Sequence, residues 1–175
     1  MVKRLYALMN GVDVGVLEKT RGGGMTFTYD HGWLENPSRR PISLSMPLSA
    51  GTYSGHEVYN YFDNLLPDNP VVRERVMAKF SVPVDHPFDI LAAIGHDCVG
   101  ALQLLPVRAE YNPEIQATPM SELDVANQLR RYRESPMGME EEDDFRISLA
   151  GVQEKTALLY QDGNWLKPHG VTPTT

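Results

Sequence analysis

Residues 144–159 read DFRISLAGVQEKTALL, a segment with the residue types that could handle a phosphate group. The Ser148 hydroxyl could accept a phosphoryl group, and Lys155 supplies a positive charge. Ala150 and Gly151 are small enough for the main chain to approach a ligand closely. One hypothesis is therefore a hairpin loop whose N–H groups cover the phosphates of a nucleotide from above. The other is that Gly151 marks only an ordinary turn between two strands.

A P-loop is excluded by two features of the same segment. That motif requires G-x-x-x-x-G-K-[ST] at the start of a helix, with a glycine directly before the lysine. Here Glu154 precedes Lys155, and TALLYQDGNWLKP predicts a strand, a turn at Asp162 and Gly163, and a second strand. Only the strand-loop-strand arrangement remains for nucleotide binding.

Ser148 also has two interpretations. A serine beside a turn glycine commonly forms a local hydrogen bond to the main chain. If Ser148 is instead phosphorylated, the added charge of about −1.5 to −2 is repelled by Asp143, Asp144 and Glu154. Phosphorylation is then expected to expel the loop.

The first thirty residues predict a β-meander. RLYALMN, DVGVLEK and GMTFTYD each combine β-branched or aromatic residues with partial alternation of apolar and polar positions. Asn10 and Gly11 separate the first two segments and give a strong hairpin signal. The three glycines at 22–24 predict a flexible turn and no phosphate cradle, because a strand and not a helix follows them.

Four helices are predicted beyond a proline-containing segment, NPSRRPISLSMPLSAG, with a strand at VGALQLLP between the third and the fourth. Their starting signals are a Ser54–Glu57 capping box, Asn69 with Pro70, Pro87, and Ser121 with Asp124. The first helix should end near Pro67 and the third at a Gly95 C-cap. The apolar stripes expected to face the core are Val58, Tyr61, Phe62, Leu65 and Leu66; Val72, Val76 and Phe80; Phe88, Leu91 and Ile94; Val125, Leu129 and Tyr132.

Composition predicts a globular cytoplasmic protein of α+β class. The chain has 175 residues with 42% hydrophobic content and no apolar run long enough to span a membrane. Its net charge of −7 argues against direct nucleic-acid binding and would suit a basic partner. Cys98 lies in an apolar setting, which favours a buried and inert thiol.

No metal site is expected, because the five histidines are scattered without metal-ligand spacing. They are His31, His56, His86, His96 and His169, and each is interpreted as a surface or capping residue.

A boundary is predicted where prolines cluster in a polar context, between residues 106 and 120. Residues 1–108 would form a β-rich subdomain with packed helices. Residues 109–175 would begin a second unit that carries the Ser148 loop.

Four segments, YFDNLLPDNPVVRERV, HPFDILAAIGHDCVGALQLLP, DFRISLAGVQEKTALL and GVTPTT, resemble the HipA kinases, the toxin halves of bacterial HipBA toxin–antitoxin pairs. The likeness runs in order along nearly the whole chain. It implies a Ser/Thr protein kinase, a transferase, with a fold similar to that of the phosphatidylinositol kinases. Residues 109–175 would then be the beginning of the kinase N-lobe.

The resemblance also implies roles for the loop residues and identities for the partners. Ser148 matches the autophosphorylated serine, whose modification ejects the loop and inactivates the enzyme. ATP and Mg²⁺ are the implied cofactors, and the segment that matches the ATP-phosphate contacts consists of Ala150, Gly151, Val152, Gln153, Glu154 and Lys155. The best-known target of the family is glutamyl-tRNA synthetase, whose modification stalls translation and produces persistence. The implied partner is HipB, a helix-turn-helix antitoxin, so that DNA is contacted only indirectly.

The chain stops at GVTPTT, before the positions where a HipA protein carries its ATP-binding lysine, catalytic aspartate and Mg²⁺ ligands. No catalytic or metal-binding residue is therefore assigned here, and the chain alone is expected to be inactive as a kinase. The preferred hypothesis is the N-terminal part of such a kinase. The alternative is a free-standing, non-catalytic module that docks on an antitoxin or on a separate kinase chain.

Overall fold

A computed structural model describes residues 3–98, 101–108, 115–134, 158–169 and 172, except for the side chains of residues 97 and 131–134. The chain divides into two compact units, Met1–Tyr111 and Asn112–Thr175. Strands and helices are mixed in an α+β arrangement. The strands are β1 (Arg4–Met9), β2 (Val12–Lys19), β3 (Met25–Tyr29), β4 (Thr52–Ser54), β5 (Leu102–Leu105), β6 (Ala117–Met120), β7 (Leu159–Gln161) and β8 (Asn164–Pro168). The helices are α1 (His31–Glu35), α2 (His56–Asp63), α3 (Pro70–Lys79), α4 (Pro87–Ile94) and α5 (Glu122–Glu134).

The first unit is built on an antiparallel sheet with the strand order β4-β3-β2-β1-β5. The predicted meander of β1, β2 and β3 is confirmed. Asn10 and Gly11 have φ angles of 51° and 77° at the tip of the first hairpin, the left-handed conformations that a two-residue hairpin turn requires. Gly23, with φ of 84°, lies in the second turn as expected.

A β-bulge between β1 and β2 interrupts the alternation of the two strands. Ala7 pairs with Gly15 but Leu8 pairs with Asp13, so Val14 is the extra residue. Consecutive residues of β2, Val14 and Gly15, are therefore both buried. This bulge explains why the alternation seen in the β2 sequence is only partial.

Gly15 is required by close packing in this sheet. A Cβ atom at this position would lie 2.4 Å from the carbonyl oxygen of Thr28 and 2.7 Å from Cζ of Phe27. The Phe27 ring also packs edge-on against Tyr29, with a centroid distance of 5.0 Å, and lies 5.8 Å from the ring of Phe62. The glycine thus makes room for the aromatic centre of the core.

Helices α3 and α4 begin as predicted. The Asn69 side chain accepts a hydrogen bond of 2.9 Å from the amide of Val71, and Pro70 occupies the first turn of α3. Helix α4 starts at Pro87 and is preceded by His86, whose ring caps it. Its predicted apolar stripe is confirmed, since Phe88, Leu91 and Ile94 are all fully buried.

One detail of the helix predictions is wrong. Ser54 is the last residue of β4, and Gly55, with φ of 83°, is the N-cap of α2, so no Ser54–Glu57 capping box forms. Gly95 ends α4 as predicted and is its C-cap, with a φ of −71° that lies outside the left-handed region. Its small size matters for another reason, because a Cβ there would lie 2.8 Å from Cβ of Leu104 on β5.

The apolar stripes of α3 and α5 are less complete than predicted. In α3 only Val76 is fully buried, whereas Val72 and Phe80 are half-buried. In α5 the side chain of Leu129 is 51% exposed. Partial burial of these positions reflects helices that contact the rest of their unit over a narrow face.

The second unit contains α5 and an antiparallel sheet of order β6-β8-β7. The predicted strand, turn and strand at 156–168 are confirmed by β7 and β8, while residues 156 and 157 lie outside the described residues. Asp162 and Gly163 form the turn with φ angles of 51° and 80°. Ser121 and Asp124 cap α5 as expected: the Ser121 amide donates to Oδ2 of Asp124 at 2.9 Å, and the Asp124 amide donates to Oγ of Ser121 at 3.2 Å.

Candidate functional site

All the sequence-predicted site residues lie outside the described residues. They are Ser148, Ala150, Gly151, Val152, Gln153, Glu154 and Lys155, and their roles stay predictions. The structure does describe the strands that follow this segment in the chain. The candidate site is therefore built from β7 and β8 and from the residues that hold them.

Strand β7 leads the chain away from the predicted loop and into the second sheet. Leu158 and Leu159 are 8% and 6% exposed, and Leu159 pairs with Leu166 of β8. A P-loop lysine is followed by a helix, so the strand beginning three residues after Thr156 agrees with the rejection of that motif. The buried Leu158 and Leu159 also give the predicted loop one fixed end.

Thr172, which follows strand β8, is hydrogen-bonded to Gln116, the residue before β6. The Thr172 hydroxyl accepts a hydrogen bond of 2.9 Å from the Gln116 amide and donates one of 3.0 Å to the Gln116 carbonyl. The Thr172 amide donates to the carbonyl of His169, whose Nε2 lies 2.7 Å from Oγ1 of Thr118. Because Thr172 is only 4% exposed, these bonds satisfy a hydroxyl that burial would otherwise leave unpaired. Thr172 is thus anchored to the residue that precedes β6.

Helix α5 is fixed electrostatically at its N-terminus. Hydrogen bonds from the Ser121 hydroxyl and amide lower the pKa of Asp124 below its ordinary value. The charged carboxylate in the first turn also interacts favourably with the positive end of the helix dipole. The first turn of α5 is therefore most stable when Asp124 is ionised.

An aromatic pair that sequence reasoning missed lies on the hairpin after the predicted loop. Tyr160 and Trp165 face each other across β7 and β8, with ring centroids 4.7 Å apart, and are 51% and 38% exposed. Met120 of β6 pairs with Trp165, so it belongs to the same row. A signal was present in the sequence, because strand positions equidistant from a two-residue turn at Asp162 and Gly163 must be partners.

A polar cluster in the first unit contains the residue types of acid–base chemistry but is internally satisfied. Nε2 of His86 donates to the carbonyl of Gly23 at 2.8 Å, and Nδ1 accepts from the amide of Phe88 at 3.2 Å. These bonds engage both ring nitrogens of His86. Lys19 and Asp89, both less than 20% exposed, form an ion pair beside it. The cluster is best explained as the junction of α4 with the hairpin of β2 and β3.

Two further polar clusters of the first unit, each centred on an arginine, also have structural explanations. Arg108 follows β5. Its Nε lies 2.9 Å from Oδ2 of Asp13 and its Nη2 lies 3.3 Å from Oδ2 of Asp30, and the guanidinium stacks over the ring of Tyr6. These contacts hold the chain against the sheet where β5 ends.

The second cluster joins α2 to α3. Arg73 pairs with Asp63, and its Nε lies 3.0 Å from Oδ1 of Asp85 without the angle of a hydrogen bond. The contact is an ion pair between a largely buried guanidinium and two carboxylates.

Cys98 is buried, as the sequence predicts. Its side chain is 1% exposed, and Sγ donates a hydrogen bond of 3.3 Å to the carbonyl of Gly95. Within the described part of the chain no group of three His, Cys, Asp or Glu side chains could hold a metal ion. None of the helices described there has the length and apolar character needed to cross a membrane.

Comparison with known proteins assigns the first unit to a family. A family model described as the HipA N-terminal domain matches residues 5–105, which span β1 to β5. That match covers more than half of the chain and includes α1 to α4 and all of the five-stranded sheet except Arg4. The chain belongs to the HipA family.

Two relatives extend the likeness beyond this domain. A protein of Sinorhizobium fredii named "Putative kinase Y4mE" is 31% identical over 181 residues, a match that covers 99% of this chain and 42% of that protein. The solved HipA of Shewanella oneidensis, in complex with HipB and its operator DNA, is 26% identical with a TM-score of 0.72 and covers 98% of this chain. The match covers 39% of the Shewanella chain, so this chain spans about two fifths of both relatives.

Proposed function

We propose that this chain is the N-terminal portion of a HipA-type Ser/Thr protein kinase that binds ATP and phosphorylates a translation factor. The observation that carries the proposal is the 31% identity, over 99% of the chain, to a protein named as a kinase. Because that match covers 99% of the chain, it includes residues 148–155 as well as the N-terminal domain.

The strand arrangement supports a loop that covers phosphates. Residues 150–155 precede β7, and β7 turns back through Asp162 and Gly163 into β8. In this proposal the main-chain N–H groups of Ala150 to Lys155 bind the ATP phosphates from above, and Gly151 permits their close approach. Bound ATP with Mg²⁺ supplies the transferable phosphoryl group, and the residues that hold the metal belong to the part of the relatives that this chain does not span. The second unit is then the start of a kinase-like N-lobe.

Ser148 is proposed as the regulatory residue of the same loop. A phosphate on Ser148 adds about −1.5 to −2 charge next to Asp143, Asp144 and Glu154. Repulsion among these groups, and between them and the phosphates of ATP, favours a loop withdrawn from the nucleotide. Autophosphorylation would therefore switch the kinase off.

The proposed partners follow from the family. The Shewanella protein is in a complex with HipB and operator DNA, and we propose a HipB-like antitoxin as the partner of this chain. Glutamyl-tRNA synthetase is the proposed protein substrate, with growth arrest and persistence as the consequence of its phosphorylation. Contact with DNA would be indirect, through the antitoxin.

The test uses the full-length gene product with ATP, Mg²⁺ and glutamyl-tRNA synthetase. Gly151→Val places a branched side chain where the main chain must approach phosphate, so ATP affinity should fall by about tenfold or more and phosphate transfer should be lost. The matched control is Gly22→Ala, at a turn position where a Cβ would meet nothing within 4 Å. This control should bind ATP and transfer phosphate like the wild type.

Two outcomes would overturn the proposal. The first is a Gly151→Val protein that binds ATP with unchanged affinity, which would remove the loop from the nucleotide site. The second is a reading frame that ends at Thr175 together with no phosphate transfer to any protein. That outcome would favour the free-standing docking module.

A further inference from the structure

A long connection in the first unit is ordered without regular secondary structure. Residues 36–51 join α1 to β4 and contain only an isolated bridge between Ser43 and Met46. Connections of this length in compact domains are uncommon, and those that are well ordered usually have a function. This one carries a basic pair, Arg39 and Arg40, followed by an apolar residue at Leu44.

Two buried aromatic side chains hold this connection against the sheet. Nε1 of Trp33 donates a hydrogen bond of 3.1 Å to the Arg40 carbonyl. The Tyr29 hydroxyl accepts one of 3.0 Å from the Ile42 amide and donates one of 2.5 Å to the Met46 carbonyl. Trp33 and Tyr29 are 3% and 4% exposed, and Met46 is fully buried. The main chain is thus fixed at two points before Leu44, Arg40 and Ile42, and at one point after it, Met46.

A hydrogen-bonded turn directs Leu44 away from the protein. The Met46 amide donates to the Ser43 carbonyl at 3.1 Å, and Oγ of Ser43 accepts from the Ser45 amide at 3.2 Å and lies 2.8 Å from the Ser45 hydroxyl. Leu44, at the second position of this turn, is 95% exposed. Because the main chain of the turn is already fixed, binding a partner at Leu44 would not carry the entropic cost of ordering the loop.

Positive charge adjoins the exposed leucine. Arg39 and Arg40 are both exposed, and neither guanidinium has an ion-pair partner in the ranges that the structure describes. The Cα atoms of Arg40 and Leu44, four residues apart, are separated by at most about 14 Å, a distance that extended arginine and partner side chains can bridge. This local charge is opposite in sign to the net charge of −7 of the whole chain.

We propose that the Leu44 loop, residues 39–46, is a docking site for an acidic segment of another protein that also carries an apolar side chain. Leu44 would pack against the apolar side chain of the partner segment, and Arg39 and Arg40 would pair with carboxylates beside it. Opposite charges in a rim around an apolar contact give orientation and a faster encounter. Buried Trp33 and Tyr29 act from beneath by fixing the loop.

A protein partner is favoured over nucleic acid by the residues themselves. Contact with a phosphate backbone would bury little apolar surface of the exposed Leu44 side chain, whereas contact with an apolar protein surface would bury much of it. Two arginines also neutralise few phosphates on a chain that is acidic overall. The inference involves neither ATP nor Ser148, so it stands or fails independently of the proposed kinase activity.

The test is an NMR titration of this chain with labelled leucine methyl groups and arginine Nε atoms. The probes are a short synthetic peptide of glutamates and leucines, the same peptide with serine in place of leucine, and a single-stranded oligonucleotide. We expect saturable shifts of the Leu44 methyls and of the Arg39 and Arg40 side chains with the first peptide only. Leu44→Ser, and separately the double change Arg39→Glu and Arg40→Glu, should each weaken this binding on the order of tenfold.

Leu123 provides the matched control. It is 64% exposed on α5 but lies between Glu122 and Asp124, so it lacks the basic neighbours. Leu123→Ser should leave the titration unchanged, and all variants should keep the wild-type melting temperature because the altered side chains are exposed. Equal shifts with the serine peptide, larger shifts with the oligonucleotide, or no shift at Leu44 with any probe would overturn the proposal.

Discussion

Replacing Tyr29 with phenylalanine removes the one oxygen atom on which two main-chain groups of the 36–51 connection depend. The Met46 carbonyl is buried, and the Ile42 amide is half-buried. An unsatisfied buried polar group costs about 1–3 kcal/mol, and the half-buried amide can recover part of its loss by contacting water. We therefore expect Tyr29→Phe to lower the free energy of unfolding of the first unit by about 2–3 kcal/mol.

Urea unfolding followed by tryptophan fluorescence measures this loss in the right unit. The chain has two tryptophans, Trp33 in the first unit and Trp165 in the second. In a Trp165→Phe background only Trp33 reports, and its Nε1 bond to the Arg40 carbonyl ties its signal to the 36–51 connection. Tyr29→Phe should shift the midpoint to lower urea with an unchanged slope.

Tyr53→Phe is the matched control. Its hydroxyl donates to the Pro47 carbonyl of the same connection, but this bond is exposed to solvent. Water can replace it, so the loss should stay below about 1 kcal/mol. Equal destabilisation by the two substitutions, or a Tyr29→Phe effect below about 0.5 kcal/mol, would refute the view that Tyr29 fixes this connection.

Three further predictions concern the first unit. Gly15→Ala should destabilise it by about 2–3 kcal/mol through the clash with Thr28 and Phe27, whereas Gly22→Ala should have no effect in the same urea titration. Burial raises the pKa of Tyr61 to about 12, so the contribution of its neutral phenol to the free energy of unfolding is complete below pH 10 and is lost as pH rises through 12. Tyr61→Phe should abolish up to about 2 kcal/mol of this loss of stability at alkaline pH. Identical pH–stability profiles for the variant and the wild type would contradict the assignment. Asn69→Ala should cost about 1 kcal/mol by removing the cap of α3, and an Asn69→Asp variant that fails to retain most of the wild-type stability would argue against capping as the cause.

Local signals in the sequence were sufficient to predict most of the elements. The meander was predictable because Asn10 and Gly11 favour a left-handed two-residue turn between strand-forming residues. Helix α4 was predictable because Pro87 marks its first turn and its apolar residues recur at helical spacing. The hairpin of β7 and β8 followed from Asp162 and Gly163 by the same turn chemistry as the first hairpin.

The errors arose where tertiary packing decides a residue's role. Ser54 resembles a helix cap, but it pairs with Thr26 as part of an edge strand. Gly95 is the C-cap of α4, as predicted, but its small size is required by Leu104, which lies against it. The bonds from Tyr29 to the 36–51 connection span more than ten residues, and no local pattern in a single sequence encodes them. The nucleotide loop at 148–155 stays a prediction, since it lies outside the described residues.

The most direct test of the central claim is phosphopeptide mapping of the full-length gene product after incubation with ATP and Mg²⁺. The account predicts phosphate on Ser148, no phosphate in a Ser148→Ala variant, and an ATP affinity reduced by about tenfold or more in the phosphorylated protein. Phosphate on another residue such as Ser43 or Ser45, or an unchanged ATP affinity with Ser148 fully phosphorylated, would contradict it.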